Sequence, residues 1–354
     1  MPDGDNVLWV TPIPGTGHSS PITWGDRVFV TTAVSAAAAA VDRTTATGRA
    51  TIRDEGEQDW RLLALDRRTG RLLWQRTAHR GRPAIGRHPK ASHANASPAT
   101  DGRHVIAYFG SEGLHAYDVD GNHLWSRDLG VIDVGYVGLP EYQWGTASSP
   151  IIHDGLAIVQ AYAQQGSFIA AFDIATGREV WRQVRDELPS WTTPVVAIAG
   201  GRPVLVTNSP RFIRGLDPGT GRELWRLADE AEVKVPSPVT GDGLVIVSGG
   251  APRGRAFRAV RPDPGLDASD RVVWTVPKGG PYTPTPIIVE DLLYVLADNG
   301  VLSCYEVATG ALVYQERVSP VAGSFSASPI AAAGRLYLAA EDGTVYVVRA
   351  GRRF

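Results

Sequence analysis

The stretch Asp66-Arg67-Arg68-Thr69-Gly70-Arg71-Leu72-Leu73-Trp74 reads as an acidic residue, a Thr-Gly turn and a strand ending in tryptophan. Fully formed copies run from Asp173 to Trp181 and from Asp217 to Trp225. Asp and Thr side chains bond backbone amides inside such turns, and Gly70, Gly177, Gly221 and Gly310 supply the positive φ that the turn needs. Ahead of each copy runs an apolar strand, such as Leu62-Leu63-Ala64-Leu65. Each unit begins with a small residue and a proline: Ser20-Pro21, Ser97-Pro98, Ser149-Pro150, Thr193-Pro194, Ser237-Pro238, Thr285-Pro286 and Ser328-Pro329. The prolines of these seven steps lie 77, 52, 44, 44, 48 and 43 residues apart. Apart from the first spacing, this is the roughly 40–50-residue period of a four-stranded propeller blade.

The period predicts an all-β fold, a seven-bladed β-propeller of four-stranded antiparallel blades, forming one domain over 1–354 with an insertion at about 33–59 in the first blade. Trp74, Trp125, Trp181, Trp225 and Trp274, with Tyr314 in the sixth unit, are expected to wedge between neighbouring blades. The seventh unit stops after Val345-Tyr346-Val347-Val348 without its turn and tryptophan strand. Asn6-Val7-Leu8-Trp9 matches that missing piece, so the N-terminal strand is expected to complete the last blade and close the ring.

Composition narrows the partners. The chain has 354 residues, 43% hydrophobic and 20% charged, enough to bury a large core. A net charge of −2 without a lysine- or arginine-rich run argues against nucleic acid as a partner. Cys304 is the single cysteine, which excludes an intrachain disulfide and a CxxC pair. No apolar run approaches the roughly 20 residues of a transmembrane segment, and Met1-Pro2-Asp3 does not open a signal peptide.

The repeated D-x-x-T-G-x-x-x-W signature, at Asp66, Asp173 and Asp217, resembles the PQQ-like (BamB-type) β-propeller repeat family, and the likeness extends over essentially the whole chain. The family is WD40-like in architecture and contains both non-catalytic propellers and quinoprotein dehydrogenases. The resemblance implies a binding or scaffolding module for a protein or glycan partner and an exported, periplasmic setting. Quinoprotein alcohol dehydrogenases use eight blades, PQQ with calcium and a disulfide of adjacent cysteines. With seven units and Cys304 alone, PQQ is not expected here.

Strand order places every long connection on the Ser-Pro face: 33–59, 75–96, 126–147, 182–192, 226–236, 275–284 and 315–327. Long irregular segments are where function concentrates. All eight histidines lie between His18 and His153; His18, His79, His88 and His93 map to this face, whereas His104, His115, His123 and His153 read as structural or solvated. The residues just before each proline should line a cup with Asn95, Trp144, Trp191, Arg211, Lys234 and Phe325 as substrate-binding groups. The alternative to a binding module is an enzyme with its site at the central-channel mouth, a carbohydrate-type lyase or hydrolase using His and Tyr with or without a metal, or, less favoured, a quinoprotein oxidoreductase. His18 or His93 would serve as base, Tyr142 or Tyr282 as acid, Lys234 or Arg211 as a charge for a carboxylate, and Trp191 as a stacking platform. His18, His88 and His93 leave room for a divalent metal, although their spacing matches no metal motif.

Overall fold

The computed structural model describes residues 7–35, 50–139, 141–250, 255–319 and 323–354. Its strands form seven antiparallel sheets, each a meander in sequence order. The chain divides into two compact units, Met1–Asp186 and Glu187–Phe354.

The first unit holds three four-stranded sheets: Ile22–Trp24, Arg27–Ser35, Gln58–Asp66 and Leu72–Gly81; Ala99–Thr100, His104–Tyr108, Leu114–Asp118 and His123–Arg127; Ile151–His153, Leu156–Ala161, Phe168–Asp173 and Glu179–Val184. The second and third strands of each sheet are its most buried, and apolar residues fill the space between neighbouring sheets of the unit. Phe29, Trp60 and Ala64 of the first sheet meet Val105, Ala107 and Tyr117 of the second in one buried cluster. The outer strands are paired on one edge only and keep polar residues. In every four-stranded sheet of the first unit a β-bulge shifts the register between the third and outer strands, at Ala64/Leu65, Ala116/Tyr117 and Ala171/Phe172.

The second unit holds Val195–Ala199, Arg202–Asn208, Phe212–Leu216 and Glu223–Ala228; Val239–Gly241, Leu244–Ser248, Phe257–Val260 and Val272–Val276; Ile287–Val289, Leu292–Leu296, Val301–Glu306 and Leu312–Arg317; and a three-stranded sheet, Ile330–Ala332, Arg335–Ala339 and Val345–Arg349. Val206 and Trp225 pack on Val245 and Val247, Ile246 and Phe257 on Leu293 and Tyr305, and Tyr294 and Cys304 on Leu336 and Leu338.

The signature residues join sheet to sheet. Asp66 Oδ1 accepts the Thr69 N–H and hydroxyl, each at 2.8 Å, and Asp173 holds Thr176 in the same way. Four outer-strand indoles then donate to a backbone carbonyl of the following repeat: Trp74 to Val119, Trp125 to Ile174, Trp225 to Pro262 and Trp274 to Val307, at 2.8–3.0 Å. The Trp74, Trp125 and Trp274 rings lie on the turn glycines Gly121, Gly177 and Gly310 of that repeat, whereas the Trp225 ring lies on Gly215 of its own sheet. A Cβ on Gly177, whose φ is +68°, would stand 2.5 Å from the Trp125 ring. The glycine is therefore required twice, for its φ and as the seat of the tryptophan.

The hydroxyl before five of the seven prolines has a task that spacing does not reveal. Ser97 Oγ accepts the Ser20 N–H and Ser149 Oγ that of Ser97; in the second unit Ser237, Thr285 and Ser328 accept from Thr193, Ser237 and Thr285. A proline next door has no N–H of its own, so the preceding amide and hydroxyl carry the lateral link.

At the N-terminus, Trp9 behaves as an outer-strand tryptophan: its Nε1 donates to Arg67 O at 2.9 Å and its ring covers Gly70. Residues 7–10 lie in no strand, and the last sheet has three strands among the described residues, so the expected completion of that blade is not among the pairings seen. At the insertion expected at about 33–59, the flanking strands run to Ser35 and resume at Gln58, where the two residues pair. Its residues 36–49, with the alanine run, lie outside the described residues.

Candidate functional site

In the first unit the long loops do meet in one layer. The returning limb of the insertion lies on the loop that follows the first sheet, where Ile52 and Arg87 exchange backbone hydrogen bonds at 2.8 and 2.9 Å. Thr51 Oγ1 donates to Glu141 O at 3.1 Å and accepts the Gln143 N–H at 2.9 Å, tying in a third loop. The Asp54 carboxylate takes the Arg87 guanidinium in a fork at 2.6 and 3.2 Å and lies 2.9 Å from His93 Nε2. Burial acts to raise Asp54, but Arg87 and His93 outweigh it and hold the carboxyl below its ordinary value. Burial in turn pushes the His93 imidazole down, against the pull of Asp54.

Beside His93 lies a pocket of about 10 Å3, room for one water, lined by Ser92, His93, Asn95, Ser111, Glu112 and Thr146 among others. Its polar groups are already engaged. Asn95 Oδ1 accepts the Ser92 N–H at 2.9 Å and Nδ2 donates to Thr146 O at 2.9 Å. Glu112 Oε1 accepts the Ala84 N–H at 3.0 Å, and burial raises its carboxyl above the ordinary value. Small-molecule sites run to hundreds of cubic ångströms. The pocket is thus a small joint between loops.

The other expected groups of this unit share the layer. His18 is exposed and its N–H donates to Ala94 O at 2.9 Å. His88 Nδ1 accepts the Lys90 N–H, and its ring stands edge-on to Trp144, whose other neighbour is Tyr136. Tyr142 pairs through its backbone with Tyr136. His18, His88 and His93 are thus in one loop layer, yet no group of three or more His, Cys, Asp or Glu side chains with metal-holding geometry occurs among the described residues.

In the second unit the expected cup residues separate. Lys234 is fully buried, against its expected place at a mouth; its Nζ donates to Asn208 Oδ1 at 2.6 Å and to Asp229, which also receives Arg258 at 3.4 Å. Burial lowers its pKa, opposed by Asp229. Asn208 passes the network on, its Nδ2 donating to Ser248 O at 3.0 Å. An ammonium so enclosed stays only because it is paired. Trp191 is likewise buried and cannot offer a stacking face; its N–H donates to Lys234 O at 3.0 Å. Phe325 is core, packed on Gly300 and Tyr346. Arg211 is exposed, and Tyr282 is half-buried under the Arg255 guanidinium, itself 2.6 Å from Asp298. Sequence reasoning missed the Asp54 partnership. Asp54 lies 39 residues from His93, and no spacing rule connects an insertion to a neighbouring loop.

Repeated four-stranded meanders, tied by indole and hydroxyl links, define a β-propeller of the repeat type. The family model described as outer membrane protein assembly factor BamB matches residues 2–129, 58–253 and 259–352, and the chain belongs to this family. Among solved structures, the chain is similar to BamB from Moraxella catarrhalis, with 20% identity and a TM-score of 0.58 over 84% of this chain and 82% of that one. It is also similar to quinohemoprotein alcohol dehydrogenase from Comamonas testosteroni, at 15% identity and a TM-score of 0.58, covering 92% of this chain and 70% of that one. A third is the C-terminal WD40 domain of Sif2, at 13% and 0.58, covering 83% and 78%. At these identities the likeness is one of fold. No curated protein matches the chain.

Proposed function

We propose that the chain is a protein-binding scaffold in outer membrane protein assembly, docking its partner on the loop layer of the first unit. The observation that carries this reading is the insertion limb 50–57, held against two other loops by Thr51, Ile52 and the Asp54 pair with Arg87 and His93. A loop surface ordered before binding loses less entropy on association than a free one. The family's description supports a protein partner and an exported setting.

A photo-crosslinking amino acid at the exposed positions of Arg53 or Glu55 should yield an adduct with one defined protein. The same probe at Asn122 or Arg178, in turns at the other end of their sheets, should not. Asp54→Asn should weaken the adduct at the first two positions. Equal crosslinking at all four would refute the reading.

A second reading, a carbohydrate-type lyase or hydrolase, draws on one feature: a buried imidazole, His93, and a raised carboxyl, Glu112, line the same pocket. It requires the Asp54 limb to lift. Turnover of a polysaccharide that survives both His93→Ala and Glu112→Gln would rule it out.

A further inference from the structure

The side-chain amide of an asparagine can be attacked by the backbone nitrogen of the next residue, with loss of the amide nitrogen. The chain's five asparagines are not equally open to this. Asn95, Asn122 and Asn208 commit the nitrogen that would have to leave: Nδ2 donates to Thr146 O at 2.9 Å, to Asp118 Oδ2 at 2.7 Å and to Ser248 O at 3.0 Å. These three and Asn6 are each followed by a residue with a Cβ, which hinders the approach of its nitrogen. Asn299 is followed by Gly300. It is exposed, and its side chain commits only the oxygen, which accepts the Val301 N–H at 3.3 Å.

That bond has a geometric consequence. A side-chain oxygen held on the amide two residues ahead draws Cγ back over the intervening nitrogen, here that of Gly300. Gly300, at φ +79°, has no Cβ to stand in the way, and one placed there would meet the Phe325 ring at 2.8 Å.

The turn also carries a charge where the attack needs it. Arg317 Nη1 donates to Asn299 O at 2.9 Å, and this carbonyl belongs to the same peptide group as the Gly300 N–H. When the nitrogen loses its proton, the negative charge spreads onto that oxygen, where the guanidinium stabilises it. The Gly300 N–H, bonded to Ala297 O at 2.9 Å, leaves that acceptor as hydroxide takes the proton.

We propose that Asn299 is a site of spontaneous deamidation, promoted by Arg317. The deprotonated Gly300 nitrogen bonds to Asn299 Cγ and the Cγ–Nδ2 bond breaks. The departing nitrogen takes a proton from water and leaves as ammonia, which restores the hydroxide and closes a cyclic imide. Water opens the imide at either carbonyl. One product has aspartate at position 299; the other has isoaspartate, whose main chain runs through the former side chain and is longer by a methylene. Either places a carboxylate next to Asp298, which already holds Arg255 at 2.6 Å, in the turn joining Leu292–Leu296 to Val301–Glu306. The second unit thus gains a negative charge without an enzyme.

Peptide mapping by mass spectrometry, after incubation of the full chain in mildly alkaline buffer, tests this. Conversion at Asn299 should run ahead of that at Asn6, Asn95, Asn122 and Asn208, and should yield both aspartate and isoaspartate. Arg317→Gln should slow it about two- to fivefold, the scale of one exposed charge. Arg317→Lys keeps the charge and should stay near the parent's rate. Arg317 is exposed, so both variants should melt where the parent does. An intact Asn299, conversion of another asparagine ahead of it, or an unchanged rate in Arg317→Gln overturns the proposal.

Discussion

Asp54 and Lys234 show how far a single charged residue can lie from its apparent purpose. Asp54 reads as one member of a solvated acidic stretch, yet it clamps two loops through Arg87 and His93. Replacing it with Asn should cost about 1.5–3 kcal/mol, the size of a charge-assisted hydrogen bond, as measured by denaturant unfolding. The pH dependence has two stages. An unfolded histidine takes up a proton below about pH 6.5, while buried His93, its pKa lowered by burial, takes one up only at lower pH, so stability declines from there downward. The Asp54 contribution is complete above its unfolded pKa of about 3.9 and is lost as pH falls through its depressed folded value. Melting curves of His93→Gln should therefore fall less steeply than the parent's between about pH 6.5 and 5. Lys234→Met would leave Asp229 buried with fewer partners and should cost about 3–5 kcal/mol in unfolding, with crosslinking from Arg53 unchanged wherever the variant stays folded.

At the scale of the element, the turn and the tryptophan are one device divided between two sheets. The indole of Trp125 both fills the space over Gly177 and satisfies the Ile174 carbonyl. Trp125→Ala should destabilise the protein by about 3–5 kcal/mol. Gly177→Ala should be destabilising too, since the added Cβ meets the ring and a positive φ. Combining them should cost less than the sum, because removing the ring removes the clash; a double-mutant cycle by chemical denaturation measures the coupling. The Asp, Thr and Gly of each turn were legible in the sequence because their bonds run within three or four residues. The Ser and Thr before each proline were visible as a repeat but not as acceptors, since their donors lie a whole repeat away.

On the scale of the whole molecule, stability is distributed within each unit over sheets that contact their sequence neighbours, as in other repeat proteins. The net charge of −2 and scattered cations predict no retention of duplex DNA at about 0.15 M salt; a filter-binding assay checks this, and salt-sensitive binding would contradict it. The functional reading is least legible at this scale. Candidate residues were placed by their distance from each proline, which locates a backbone position but not whether its side chain turns outward or into a joint. His18, His88, His93, Asn95, Tyr142 and Trp144 do share one loop layer, whereas Trp191, Lys234 and Phe325 are interior.

The sequence by itself determined the repeat, its register, its turns and the family, because these depend on periodic spacing and on bonds between near neighbours. Only the tertiary structure decided that the turn glycine is a seat for the tryptophan of the preceding repeat, that Lys234 is buried, and that Asp54 fastens the insertion. The reason is physical: each of these depends on side chains brought together from distant segments, and burial and partner choice belong to the packed molecule.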